Sequence, residues 1–349
     1  MIDLEAVTTV EALEALCPEW SALLERDPHA TPFQSPEWLL PWWKHFGRGA
    51  LWILALRWQG ALVGLAPFYI DTVPEENLRV LSWIGAGITD YLDLIVDPDV
   101  ALPAASRAYD QLVRCRSRWD RCDLQELRTS SPLLAILPKE SCLMTLSAQE
   151  ACPAISLPTT VEAFWKHFPA ERRRKLRRAQ RYLERLGGFS VERAAAETLQ
   201  ECLDALFRLH RSRWEERELP GVLADPSIQV FHRAVAAGLL KRGMLRLYAL
   251  RHRGAIVSVV YGFAGKKCFY AYLGGFDPAL APASPGALLI AHAIEEAIRE
   301  RRSEFDFLRG RESYKYFWGA QDRMNYRLQM ESSSLSTEER VSVEESNGT

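Results

Sequence analysis

The stretch 243–318 constrains the fold more than any other part of this chain. It reads strand, tight turn, strand, tight turn, strand, loop and long helix. Apolar, β-branched and aromatic runs at 245–250, 255–263 and 268–273 are separated by the turns HRG (252–254) and AGK (264–266). The third run ends in GGFDP (274–278). An amphipathic helix starts at Ser284, and a short strand at 304–308 follows it, within FDFLRGRESYKYFW (305–318). Three antiparallel strands that feed a helix with an exposed N-terminus set an anion receptor beside a sheet edge. Such a place suits a phosphorylated cofactor, and it points to a transferase.

The chain has 349 residues, enough for two cores. Hydrophobic residues make up 48% and charged residues 25%, as in ordinary globular proteins. The net charge of −2 gives no global attraction to DNA or an anionic membrane, so any such binding needs a local patch. The start, MIDLEAVTTVEALEAL, is acidic where an export signal is basic, and no run reaches 18 apolar residues. The seven cysteines (17, 115, 122, 142, 152, 202 and 268) contain no CxxC pair and read as reduced, packed thiols. The expectation is a cytoplasmic, two-domain chain with no metal site.

The first domain, 1–155, is expected to hold helices at 10–26 and 35–46, then strands at 51–58, 62–70, 80–84 and 91–96. A helix near 103–119, a strand at 122–127 and a short helix near 131–137 complete it. Residues 141–158 cross to a second domain, 156–330. There the expectation is helices within 160–186, closed by Gly187-Gly188, a strand near 189–194 and helices near 197–218 and 226–241. The 243–318 stretch follows, and a strand at 325–330 ends the fold. The tail 331–349 lacks apolar periodicity and reads as disordered. Both halves share an order of helices, antiparallel hairpin, glycine-containing loop, helix and last strand. A duplicated α+β architecture, each half a mixed but mostly antiparallel sheet flanked by helices, is the economical reading.

The segments LFRLHRSRW (206–214), YAYLGGFDP (270–278), SPGALL (284–289) and FDFLRGRESYK (305–315) occur in an order that resembles the GNAT acyltransferase superfamily, in its CelD/BcsL-like branch associated with cellulose biosynthesis. GITDYLDLIV (87–96) is similar to the Asp-Tyr segment of the same two-domain proteins. The architecture also resembles the FemABX peptidyltransferases, which carry two GNAT-like domains and take aminoacyl groups from tRNA. The resemblance implies an acyl donor, acetyl-CoA or another acyl-CoA, and an amine or hydroxyl acceptor that is a small molecule or a glycan precursor of the envelope. One departure stands out. The helix begins A-S-P-G-A at 283–287, where GNAT proteins have Arg/Gln-x-x-Gly-x-Gly/Ala. This keeps tRNA open as the donor's carrier.

Individual residues carry two readings each. Ser284 suits an N-cap and Pro285 the first helical position, while Gly286 and Ala287 would let a phosphate reach the free N–H groups; an ordinary capped helix start reads the same way. Along 270–275, with Leu273 and Gly274, a thioester carbonyl would lie, and Tyr272 is either an acid toward the leaving thiolate or a packing aromatic. Asp306 sits in an apolar strand, so it has a partner (Arg309 or a backbone group) or a raised pKa. Glu312 and Lys315 form an ion pair across a short helix, or, by the resemblance, line the acceptor site with Arg309 and Tyr314. On the helix 199–218, His210 and Trp214 share a stripe bordered by Arg213; His210 is a core histidine or a base. Asp90 and Tyr91 follow a glycine-rich loop, where Asp90 is a turn residue or, by the FemABX resemblance, a base facing the acceptor. Finally, ERRRKLRRAQRYLER (171–185) holds eight basic and two acidic residues. On a helix, Arg174, Arg177, Arg178, Arg181 and Arg185 cluster opposite an apolar stripe of Leu176, Ala179, Leu183 and Leu186. That face reads as a solvated surface or as a site for phosphates, a polysaccharide-linked substrate or tRNA.

Overall fold

The computed structural model describes residues 1–138, 143–215 and 221–332, and the side chains of Arg213 and Glu215 are outside that description. Of the tail expected to be disordered, Glu331 instead ends a strand and Ser332 is buried, while 333–349, like Cys142, lie outside the described residues. Two compact units divide the chain: Met1–Glu150 with the segment from Met324 onward, and Ala151–Arg323.

The first unit opens with β1 (Asp3–Val7), which the sequence did not announce, paired with β2 (Ala50–Trp58). Its expected first helix is two, α1 (Val10–Ala15) and α2 (Cys17–Arg26), because Pro18 has no N–H to continue the first ladder. After α3 (Pro36–Phe46), β2 and β3 (Ala61–Val73) form the Gln59-Gly60 hairpin, both turn residues at positive φ. β4 (Leu78–Trp83) follows, then β5, only Ile95–Val96, where a strand from 91 was expected. Residues 91–94 leave the ladder because local groups take their hydrogen bonds. The Leu92 N–H donates to the Glu126 carbonyl and the Leu94 N–H to the Asp93 carboxylate. α4 (Ala101–Arg114) lays Ala104, Ala105, Ala108 and Leu112 on the sheet; β6 (Arg121–Arg128), α5 (Pro132–Ile136) and β7 (Met144–Ala151) follow. The core stacks Phe68 on Trp83 at 4.5 Å.

The second unit begins with β8 (Ala154–Ser156), α6 (Val161–His167), α7 (Ala170–Arg185), β9 (Ser190–Arg193), α8 (Leu199–Glu215) and α9 (Pro226–Lys241). The three expected strands are β10 (Leu245–His252), β11 (Ala255–Ala264) and β12 (Cys268–Phe276). Then come α10 (Pro285–Arg299), β13 (Glu304–Asp306) and α11 (Ser313–Phe317). The sheet order is β8-β13-β12-β11-β10-β9, antiparallel except for the β12–β13 pair. The strand expected to close this unit, β14 (Met324–Glu331), instead lies between β6 and β7 of the first sheet, in the order β1-β2-β3-β4-β6-β14-β7. Its Leu328 and Met330 are buried there with Cys122 and Leu124. Among the described residues no helix is long and apolar enough to cross a membrane.

Candidate functional site

Two neighbouring strands of the second unit part, and a cleft opens where they do. β12 and β13 run parallel for three residues only, Cys268, Phe269 and Tyr270 facing Glu304, Phe305 and Asp306. Beyond Asp306 the chain turns away from β12. The Asp306 carboxylate accepts the Leu308 N–H at 2.8 Å, Leu308 adopts φ +57, and the N–H groups of Phe307 and Gly310 donate to the carbonyls of Pro153 and Ala151. The second half of β12, from Ala271 to Phe276, therefore keeps β11 on one side and, among the described residues, has no strand on the other. Of the two sequence readings of Asp306, a backbone partner is the one observed. Its carboxylate shapes the turn that opens the cleft.

β12 carries a bulge at the same place. Tyr261 pairs with Leu273 and Gly262 with Ala271, so Tyr272 is the extra residue. Gly274 and Gly275 follow because β11 and α8 press on the strand. A Cβ on Gly275 would stand 2.8 Å from the His210 nitrogen.

The cleft measures about 500 Å³. The opened edge of β12 (Tyr272, Leu273, Gly274) forms one wall, and the start of α10 (Ser284, Gly286, Ala287) another. Lys175, Leu176 and Ala179 of α7 and the aromatic group Phe307, Tyr314, Phe317 and Trp318 complete it. Six of the sequence-predicted site residues are thus brought together with Tyr314. Ser284 does not cap α10 as expected: it sits in the left-handed region (φ 46, ψ 50), and its side chain makes no capping bond. Its carbonyl takes the Ala287 and Leu288 N–H groups, Pro285 is buried and has none, and no described group takes the Gly286 N–H. That donor and the positive end of a 15-residue helix face the cleft.

Other predicted residues lie elsewhere. Lys315 is buried, donating to the carbonyls of Leu308 and Gly310 at 3.0 Å each and to that of Arg309, with Glu312 3.0 Å away. Lys315, expected at the surface, is therefore a buried tie that holds the FLRG loop, while Glu312 stays exposed. His210 is buried in α8, where its Nε2 accepts the Trp214 indole N–H at 2.9 Å. The side chain of Arg213 lies outside the described residues. Asp90 and Tyr91 are buried in the first unit. There the Asp90 carbonyl accepts from Asn325 at 2.8 Å, and the Arg128 guanidinium lies over the Tyr91 ring.

The sequence missed His232 of α9, whose ring centroid lies 5.6 Å from that of Tyr272. Burial, helped by His210, pushes its pKa down to about 3, so it stays neutral at working pH. Burial also raises the pKa of Tyr261 beside it. The sequence likewise missed that the apolar stripe of α7 faces the cleft. The stripe itself was legible; its neighbour was not. The five arginines opposite are exposed, and none pairs with a carboxylate among the described residues.

Residues 170–316 match the family model described as an acetyltransferase (GNAT) domain. No curated protein matches the sequence. The whole chain is similar in structure to FemX, with a TM-score of 0.66 and 12% identity over 93% of this chain and 96% of that one. It is similar to a conserved protein of unknown function from Bacteroides thetaiotaomicron (TM-score 0.60, 12% identity, 95% and 100% covered). It is also similar to the C-terminal domain of a putative lysylphosphatidylglycerol synthetase from Agrobacterium fabrum (TM-score 0.57, 9% identity, 96% of each chain). The chain has the GNAT fold, in a two-domain arrangement shared with FemX.

Proposed function

We propose that the second unit transfers an acyl group from a phosphopantetheine thioester, such as acetyl-CoA, to an amine or hydroxyl acceptor. One observation carries this reading: the opened edge of β12, with its bulge at Tyr272, and the N-terminus of α10 share a single cleft. A thioester supplies an activated carbonyl. The Gly286 N–H and the α10 dipole would hold a donor phosphate. The freed edge beside Leu273 and Gly274 would orient the pantetheine amides and the carbonyl. The acceptor's nitrogen or oxygen bonds to the carbonyl carbon, the C–S bond breaks, the acceptor loses a proton and the thiolate gains one. Tyr272, in the cleft wall, would give that proton. Among the described residues the cleft lining holds no carboxylate or imidazole, and an acceptor that enters neutral needs no base there. Four segments that resemble CelD/BcsL-like proteins support an envelope or exopolysaccharide precursor as acceptor. Titration calorimetry with CoA and acetyl-CoA tests the donor. Saturable binding is expected, and its absence for both would sink the reading.

A second reading is supported by the exposed arginines of α7: a donor carried on tRNA. It requires tRNA affinity that falls steeply with salt and disappears when Arg174, Arg177, Arg178 and Arg181 become Glu. Unchanged retention on a tRNA column by that variant would remove it.

A further inference from the structure

Of the described residues that line the cleft, one is charged, and it is a lysine. Lys175 sits at its exposed rim, paired with Glu171 at 3.2 Å, and three serines and two tyrosines are the other polar residues of the lining. The remaining walls are aliphatic, aromatic or glycine. α7 turns Leu176 and Ala179 inward, α10 contributes Ile290, and Phe307, Phe317 and Trp318 form an aromatic side. That side is rigid: Trp318 stacks on Phe168 at 5.4 Å, and Phe307 packs on Phe305 at 4.9 Å. Leu176 belongs to the same buried cluster as Phe168, Leu289 and Trp318, which fixes α7 in place as a wall.

Two consequences follow from elementary solvation. A two-carbon acyl group covers little of such a wall, whereas each further methylene buried against it is worth about fourfold in affinity. An acyl group that carries an ammonium would give up its water against walls whose described lining holds no carboxylate to replace it. We infer that the cleft selects an uncharged, apolar acyl group several carbons longer than acetyl, and that Leu176, Ala179 and Ile290 set its length. This rests on the thioester reading above and narrows the donor within it.

The experiment is calorimetry of the full chain with a straight-chain acyl-CoA series from acetyl to decanoyl, alongside butyryl-CoA against β-alanyl-CoA, its near-isosteric cation. Dissociation constants should tighten about fourfold per methylene over the first several carbons. Butyryl-CoA should bind at least about tenfold more tightly than β-alanyl-CoA. In Ala179→Trp, checked for an unchanged melting curve, and in Ile290→Phe, the decanoyl-to-acetyl affinity ratio should shrink about tenfold or more. A flat series, equal binding of the two four-atom groups, or an unaltered ratio in both variants would overturn the inference while leaving the donor reading intact. Failure of free CoA and of every acyl-CoA to bind would remove both.

Discussion

Gly275 of β12 and His210 of α8 meet backbone to backbone: a Cβ on Gly275 would stand 2.8 Å from the His210 nitrogen and 2.8 Å from the Leu209 carbonyl carbon. Neither atom is the end of a flexible side chain, so neither can step aside. Gly275→Ala must therefore push α8 off the strand or bend β12. It should destabilise the second unit by about 1–3 kcal/mol. Thermal unfolding followed by circular dichroism checks this; an unshifted melt would show that α8 packs less closely than observed.

At Gly286 the outcome should be the reverse. A Cβ there meets only the Phe276 ring, at 3.4 Å. A carboxylate in the first turn of α10 stabilises the helix by roughly 0.3–1 kcal/mol but occupies the place proposed for the donor phosphate. Gly286→Asp should keep or raise the melting temperature and weaken CoA binding at least about tenfold. Unchanged CoA affinity would mean that the phosphate binds elsewhere.

Lys315 separates a structural from a chemical role. Lys315→Met strips one buried carbonyl, that of Leu308, and two partly buried ones, those of Arg309 and Gly310, of the lysine donor. The cost should be about 1–3 kcal/mol, visible as a lower melting temperature. A variant that loses activity with an unchanged melt would return Lys315 to the reaction.

Asp93 gives the first unit a pH-dependent stability. Burial raises its pKa to about 7, against the stabilising Ser131 hydroxyl and the Leu94 N–H, both bonded to its carboxylate. The folded state thus keeps a proton that the unfolded chain releases near pH 4. This contribution is full below about pH 4, declines as the pH rises toward 7 and is flat above, a change on the order of 4 kcal/mol. Asn imitates the protonated acid and does not titrate. The stability of wild type minus that of Asp93→Asn, from denaturant melts, should therefore fall between pH 4 and pH 7. A difference independent of pH would refute the shift.

Much of the second unit was written locally. The hairpin turns at 252–254 and 264–266, the start of α10 at Pro285 and both faces of α7 follow from turn chemistry and helical periodicity, which act between residues a few positions apart. What the sequence could not assign was partnership. It gave Lys315 and Glu312 as a surface pair, because a spacing of three says nothing about the loop that buries the lysine. It gave Ser284 as a side-chain cap, although the preceding 3-10 turn drives it into the left-handed region.

The 91–96 run and the last strand show the same division. Apolar residues at 91–96 predict a strand, yet the Glu126 carbonyl, distant in sequence, takes the Leu92 N–H, and the Asp93 side chain, held by the distant Ser131 hydroxyl, takes that of Leu94. The last strand was legible as a strand, but the sheet it joins was not, since alternation specifies a buried face without naming its neighbour. The sequence by itself determined most of the elements, their order and the anion-ready helix start. Only the tertiary structure decided that β13 turns away from β12 after Asp306, because that divergence depends on hydrogen bonds to Pro153 and Ala151, more than 150 residues away in the chain.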